Sequence, residues 1–109
     1  MSSLLNKLEA IHSRWLEIGD LISQPDIIAD MKRYVKLTKD YKDLQVVIDV
    51  YKDYKNVLSN IQNAKDILNN EKDEEFRTMA KEELTTLLER SEQLEQDIRL
   101  LLIPADPQD

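Results

Sequence analysis

Five basic side chains in the second quarter of the sequence form the segment best suited to binding chemistry. Within MKRYVKLTKDYK, residues 31–42, only one acid, Asp40, stands among the basic residues Lys32, Arg33, Lys36, Lys39 and Lys42. Lys32, Lys36 and Lys39 are spaced by four and then three residues, so a helix would carry them on one face. Contact with a phosphate backbone requires basic side chains clustered in this way. We call these five residues the basic patch, and they are the candidate nucleic-acid contact.

The distribution of charge leaves a second interpretation of the basic patch open. The net charge is −7, with −3 in residues 1–30, +3 in residues 31–70 and −7 in residues 71–109. A solvated basic face that pairs with the acidic last third would produce the same sequence. The first interpretation predicts a phosphate-binding surface, and the second predicts a stabilising contact within the chain.

The other chemically capable residues indicate no catalytic site. His12 is the only histidine and there is no cysteine, so we expect a histidine on a helix surface and neither a metal site nor a cofactor. Runs of carboxylates such as KDEE are typical of solvated helix faces, where no pocket separates their pKa values. Aromatic rings could stack on bases, but Trp15, Tyr41 and Tyr51 occupy apolar repeat positions, which favours core packing.

Three apolar patterns with steps of three and four residues predict the helices that carry these side chains. We expect helices at about residues 3–22, 27–69 and 73–103. The long second pattern contains two parallel series, which indicates contact with two neighbours. The members of the series are Leu4, Leu8, Ile11, Trp15, Ile18 and Ile22; Tyr34, Leu37, Tyr41, Leu44, Ile48, Tyr51 and Leu58, with Lys55 filling the gap before Leu58; Val47, Val50, Tyr54, Val57, Ile61, Ala64 and Leu68; and Ala80, Leu84, Leu87, Ser91, Leu94, Ile98 and Leu101.

The predicted fold is all-α: an elongated antiparallel helical hairpin or three-helix bundle with coiled-coil-like packing and a long central helix. A parallel homodimeric coiled coil is the alternative. The short polar turns SQPD and NNEKD favour folding back within one chain. Pro25 ends the first pattern, and Ser23 or Asp26 could cap the second helix. Asp73, followed by Glu74 and Glu75, suits the start of the last helix.

No stretch of the sequence is typical of a membrane or secreted protein. No apolar run reaches the roughly 18 residues that a spanning helix needs, and MSSLLNKLEA lacks the features of a signal peptide. We therefore expect a soluble, cytoplasmic protein with no membrane partner.

Several segments, taken in order, resemble the N-terminal domain of a bacterial class I peptide chain release factor, of the type that reads UAA and UAG. They are LLNKLEAIHSRWLEI, DIIADMKRYVKLTKDYKDL, AKDIL, MAKEEL and SEQLEQDIRLLLIPADPQD. The resemblance covers essentially the whole chain. Its most specific part is LLIPADPQD, in which a leucine-rich helix end precedes a Pro-x-Asp-Pro step.

The resemblance implies a binding domain of a translation termination factor. Residues 1–103 would be the helical N-terminal domain, and residues 104–109 would begin a linker to decoding and catalytic domains. In the family this domain approaches the stalk base of the large ribosomal subunit, where rRNA and ribosomal protein meet. Contacts with mRNA and tRNA would belong to the other domains.

The family's two functional motifs are absent from this sequence, so no catalytic residue is carried over. The Gly-Gly-Gln loop cannot occur because Gly19 is the only glycine, and none of Pro25, Pro104 or Pro107 begins a Pro-x-Thr. The chain itself is therefore expected not to be an enzyme. A structural coiled-coil adaptor that mediates protein–protein interaction is the alternative function, since it would share the apolar repeats.

Overall fold

The computed structural model describes residues 3–103, and these residues contain four helices and no strand. The helices are α1 (Ser3–Leu21), α2 (Pro25–Ala29), α3 (Met31–Asn70) and α4 (Glu74–Leu101). The prediction of an all-α chain with a long central helix is confirmed. The described residues fall into two compact units that divide between Asp49 and Val50, inside α3. The expected linker, residues 104–109, lies outside the described residues.

The first unit contains α1, α2 and the beginning of α3. Its apolar cluster consists of the buried side chains of Ile18, Ile27 and Leu37, against which Leu21, Ile22, Tyr34, Tyr41 and Leu44 pack. Each of the three helices contributes one of the buried members, so the short α2 is held by the burial of Ile27, which is only 2% exposed. Burying a side chain of this size is worth roughly 1.5–3 kcal/mol.

The structure corrects the beginning of the predicted second helix. The expected helix from residue 27 is interrupted at Asp30, whose ψ of 88° is not helical, so α2 ends there and α3 begins at Met31. The Asp30 side chain accepts a hydrogen bond from the backbone N–H of Arg33 at 3.3 Å, and its carbonyl accepts one from Tyr34 at 2.9 Å. Asp30 thus caps α3, because its carboxylate satisfies an N–H that has no partner within the helix.

The turn between α1 and α2 also differs from the expectation. Gln24 occupies the N-cap position of α2 without a side-chain cap, and Pro25 is the first helical residue. The hydroxyl of Ser23 instead donates to the carbonyl of Asp20 at 2.7 Å. Neither Ser23 nor Asp26 caps α2, because the Ser23 hydroxyl is used to satisfy a carbonyl at the end of α1 and proline supplies no N–H to cap.

The second unit contains the rest of α3 and α4, joined by the turn at residues 71–73. Its buried positions on α3 repeat at steps of three and four residues, and on α4 the half-buried Leu84 and Leu87 bridge the gap between the buried Ala80 and Ser91. Those on α3 are Tyr51, Tyr54, Val57, Ile61 and Ala64, and those on α4 are Ala80, Ser91, Leu94 and Ile98. Leu101 was expected to continue the α4 series but is 41% exposed, since it is the last residue of the helix.

Hydrogen bonds satisfy the backbone groups at the turn between α3 and α4. Asp73 is the N-cap of α4, as expected, and its carboxylate accepts from the N–H of Glu75 at 2.8 Å. The guanidinium of Arg77 donates to the carbonyls of Leu68 and, at 3.2 Å, Glu71. Leu68 lies in the last turn of α3, where carbonyls have no partner within the helix, and Glu71 lies in the turn that follows, so Arg77 stabilises the fold-back of the hairpin.

Candidate phosphate-binding surface on α3

The basic patch lies on the first three turns of α3, and Lys32, Lys36 and Lys39 share one face of that helix. All five side chains, Lys32, Arg33, Lys36, Lys39 and Lys42, are exposed. Lys32, Lys36 and Lys39 point away from the face that carries the buried Leu37, as the helical spacing predicts. Arg33 and Lys42 lie on either side of them. From Lys32 to Lys42 the helix rises by about 15 Å, enough to follow several phosphates of a nucleic-acid strand.

Two members of the basic patch are engaged by carboxylates of the same helix. The ammonium group of Lys36 lies 3.3 Å from the Asp40 carboxylate, and that of Lys39 lies 2.8 Å from the Asp43 carboxylate. The hydrogen bond from Lys39 to Asp43, and then the charge of Asp43, raise the pKa of Lys39 above its ordinary value. Both partners are on α3, whereas the alternative interpretation placed them in the acidic last third of the chain.

The remaining cations of the basic patch are available to a ligand. Within residues 3–103, no carboxylate lies at ion-pair distance from Lys32, Arg33 or Lys42. Exposed lysine–aspartate pairs on a helix contribute little because water and salt screen them, so phosphates can also displace Asp40 and Asp43. The surface can therefore present up to five positive charges to a polyanion.

A shallow hollow beside the lysines was not foreseen from the sequence. It has a volume of about 310 Å³ and is lined by Tyr34, Val35, Thr38, Lys39 and Lys42. Val35 is 58% exposed although it is a large apolar side chain. The surface around Lys39 and Lys42 is thus not purely ionic, because the exposed Val35 side chain lines the same hollow. The helical spacing of Val35, Lys39 and Lys42 could have indicated this grouping.

Trp15, Tyr41 and Tyr51 pack against other side chains of the protein, as the apolar repeats predicted. The rings of Trp15 and Tyr41 stack with centroids 4.8 Å apart and planes 14° from parallel. Tyr51 is only 3% exposed, and the ammonium group of Lys55 lies 5.4 Å from its ring centroid. His12 is half-buried, and its ring lies 6.1 Å from that of Trp15. This packing leaves Tyr51 no open face on which a nucleotide base could stack.

The described residues offer no site for metal chemistry and no membrane-crossing helix. Within residues 3–103, no group of three or more histidine, cysteine, aspartate or glutamate side chains is placed to hold a metal ion. None of the four helices combines the length and the apolar character needed to cross a bilayer. The basic patch is therefore the candidate site that the structure leaves to be explained.

An all-α fold that presents a basic helix face defines a helical domain with an exposed basic surface. Comparison with known families makes the assignment specific, because residues 11–109 match the model of the PCRF domain. The chain belongs to the PCRF domain family.

Relatives with reviewed descriptions agree with this assignment and with the resemblance found in the sequence. The chain is 52% identical over 108 residues to "Peptide chain release factor 1" of Parabacteroides distasonis, covering 99% of this chain and 29% of that protein. The proteins of the same name from Cytophaga hutchinsonii and Flavobacterium johnsoniae are 50% and 40% identical over 106 residues, covering 97% of this chain and 30% of each protein. The chain thus spans less than a third of the length of these relatives. No solved structure matches it.

Proposed function

We propose that the chain is the N-terminal ribosome-binding domain of a bacterial translation termination factor, which acts in the cytoplasm. The observation that carries this proposal is the 52% identity to a peptide chain release factor over 99% of the chain. The whole factor would direct stop-codon-dependent release of the nascent peptide, with decoding and hydrolysis in domains outside this chain. Contacts with mRNA and tRNA would belong to those domains.

The role of this domain would be to position the factor on the large ribosomal subunit. The proposed contact is the stalk base, where the basic patch would bind phosphates of rRNA and acidic helix faces would meet basic ribosomal protein. The exposure of all five basic side chains supports this assignment. A structural adaptor role would explain the helical packing equally well, but the similarity to release factors along almost the entire chain does not favour it.

The test of the rRNA contact is a charge substitution within the full-length factor. Replacing Lys32, Arg33, Lys36 and Lys39 with serine should weaken ribosome association and flatten its salt dependence, because fewer counterions are released. The matched control replaces four other exposed basic residues with serine and therefore changes the net charge equally. These are Lys65, Lys72, Lys81 and Arg90.

The readouts separate the proposal from its alternatives. Ribosome affinity is measured for the patch variant and for wild type at about 50 and 200 mM salt. The patch variant should bind more weakly than wild type at the lower concentration, and the difference between the two proteins should be smaller at the higher concentration. Its melting temperature should stay close to that of wild type, because the substituted side chains are exposed. A patch variant that binds like wild type at both concentrations would remove the rRNA contact. The chain alone should release no peptide from a programmed ribosome, since it lacks the Gly-Gly-Gln loop.

A further inference from the structure

The first turns of α4 expose two large apolar side chains side by side. Phe76, the only phenylalanine of the chain, is 56% exposed, and Met79 is 63% exposed. They are three residues apart, so they are neighbours on the helix surface. Contiguous apolar side chains exposed on a protein surface are typical of interaction sites.

Carboxylates surround this apolar pair. Glu75, Met79 and Glu82 follow one another at steps of four and three residues, and Glu83 lies four residues beyond Met79, which places Met79 at the centre. A shallow hollow of about 380 Å³ runs along this side of the helix and is lined by Glu74, Glu75, Thr78, Met79 and Glu82. We call Glu75, Phe76, Met79, Glu82 and Glu83 the acidic–apolar face.

The basic side chains of the same segment do not neutralise this face. In the described part of the chain, no cation lies at ion-pair distance from Glu75, Glu82 or Glu83. Arg77 is bound to the carbonyls at the end of α3, and Lys81 lines a different hollow together with Leu68. The electrostatic potential over Met79 is therefore set by the carboxylates.

We propose that the acidic–apolar face docks a cationic amphipathic segment of a partner protein, an inference that rests on the proposed function in which an acidic helix face meets a basic protein. An apolar side chain of that segment would cover Met79 and Phe76, while flanking lysine or arginine side chains would meet the three free carboxylates. Charge complementarity selects this occupant. A nucleic acid would be repelled by the same carboxylates, and a second copy of the chain that paired through this face would oppose glutamate to glutamate. The face shares no residue with the basic patch.

The experiment uses the 109-residue chain and a fluorescent synthetic helical peptide of about five turns, with leucines on one face and lysines on the other. A control peptide carries alanine in place of the leucines and has the same charge. Fluorescence anisotropy should show that the leucine peptide binds more tightly than the alanine peptide. Equal affinity for the two peptides would overturn the proposal, because it would mean that only net charge attracts them.

Substitutions of the apolar pair locate the docking site. Replacing Phe76 and Met79 with serine should weaken binding by about fivefold or more, as loss of central anchors does. The matched control replaces Leu88 and Leu100, which are also exposed on α4, and should change the affinity by less than about twofold. Equal affinities for the two double variants would overturn the proposal. If circular dichroism shows that the Phe76 and Met79 double variant is unfolded, the single variant Met79→Gln, which keeps the side-chain length, replaces it. This variant should also weaken binding of the leucine peptide.

Substitutions of the carboxylates test the charge complementarity. Changing Glu75, Glu82 and Glu83 to glutamine should weaken binding and reduce its dependence on salt. Changing three other exposed glutamates, Glu9, Glu89 and Glu92, alters the net charge equally and should have a smaller effect. Equal losses in both triple variants would overturn the proposal in favour of diffuse attraction to an acidic chain. A wild-type dimer in sedimentation that the Phe76 and Met79 substitutions dissociate would instead assign the face to self-association and would also overturn it.

Discussion

The ring of Tyr41, on α3, stacks on Trp15 of α1 and also lies close to Gly19, which follows Trp15 by one turn on α1. The ring centroids of Trp15 and Tyr41 are 4.8 Å apart, and a Cβ added at Gly19 would lie 3.2 Å from the Tyr41 ring. The absence of a side chain at Gly19 therefore lets α3 bring this ring onto α1. Glycine is unfavourable in a helix interior by roughly 1 kcal/mol relative to alanine, so this close approach offsets a local cost.

The first prediction concerns the contact between Gly19 and Tyr41. Gly19→Ala should not stabilise the wild-type chain, because the gain in helix propensity is cancelled by crowding against the ring. In a Tyr41→Ala background the same change should stabilise the chain by about 0.5–1 kcal/mol. Urea denaturation of the four chains gives the interaction energy directly. The same gain in both backgrounds would show that the ring does not restrict position 19.

The second prediction concerns Asp30, whose carboxylate caps α3. Asp30→Ala should lower the free energy of unfolding by about 0.5–2 kcal/mol, because the N–H of Arg33 loses its acceptor. Asp30→Asn should cost less, since an amide oxygen can accept the same hydrogen bond. Asp26→Ala is the control, because Asp26 is exposed in α2 and caps no helix. Chemical denaturation measures all three, and equal costs at both positions would contradict the capping role.

The third prediction separates the buried part of α4 from its end. Ile98→Ala should cost about 2–5 kcal/mol, because Ile98 is fully buried and its truncation leaves a cavity. Leu101→Ala should cost under about 1 kcal/mol, as exposed positions do. The apolar repeat alone predicts similar costs for both residues, because both belong to the same series. Similar measured losses would mean that Leu101 is covered in solution.

The apolar repeats were a reliable guide to the buried faces because burial follows the helical period. They predicted the buried positions Ile18, Ile48 and Tyr51, for example. They could not predict the break at Asp30, because the apolar period continues through it and only the capping carboxylate marks the boundary. The role of Arg77 was missed for a related reason. An arginine that binds carbonyls of the preceding helix has no periodic signal, since its partners are set by how the turn folds.

The basic patch was predicted either to bind phosphate or to pair with the acidic last third of the chain, and neither interpretation included ion pairs within α3. Asp43 lies one residue beyond the segment that was considered, yet it pairs with Lys39 at 2.8 Å. The spacing of four residues between each lysine and its aspartate could have indicated both ion pairs. Whether these side chains contact rRNA is still a prediction.

The last prediction concerns these internal ion pairs and rests on the proposed rRNA contact. Asp40 and Asp43 hold two of the lysines that would bind phosphate, so a polyanion must compete with them. Replacing both aspartates with asparagine keeps their shape and removes two negative charges beside the basic patch. In the full-length factor this double variant should bind ribosomes more tightly than wild type, with a steeper salt dependence because two more lysines release counterions.

The pKa of Lys39 provides a readout of the same ion pair that is independent of the ribosome. Asp43 raises this pKa, first by its hydrogen bond and then by its charge, so it should fall towards its ordinary value in Asp43→Asn. The stabilisation from the pair is present while Lys39 is protonated and is lost as the pH rises through the raised pKa. Carbon-detected NMR titration of the lysine side chains measures the change.

A control with Asp66→Asn, an exposed aspartate of the same helix that pairs with Gln62, should leave both the pKa of Lys39 and the ribosome affinity nearly unchanged. If the Asp40 and Asp43 double variant bound ribosomes no more tightly than this control while the pKa of Lys39 fell, the ion pairs would be real but the basic patch would not be the surface that meets phosphate.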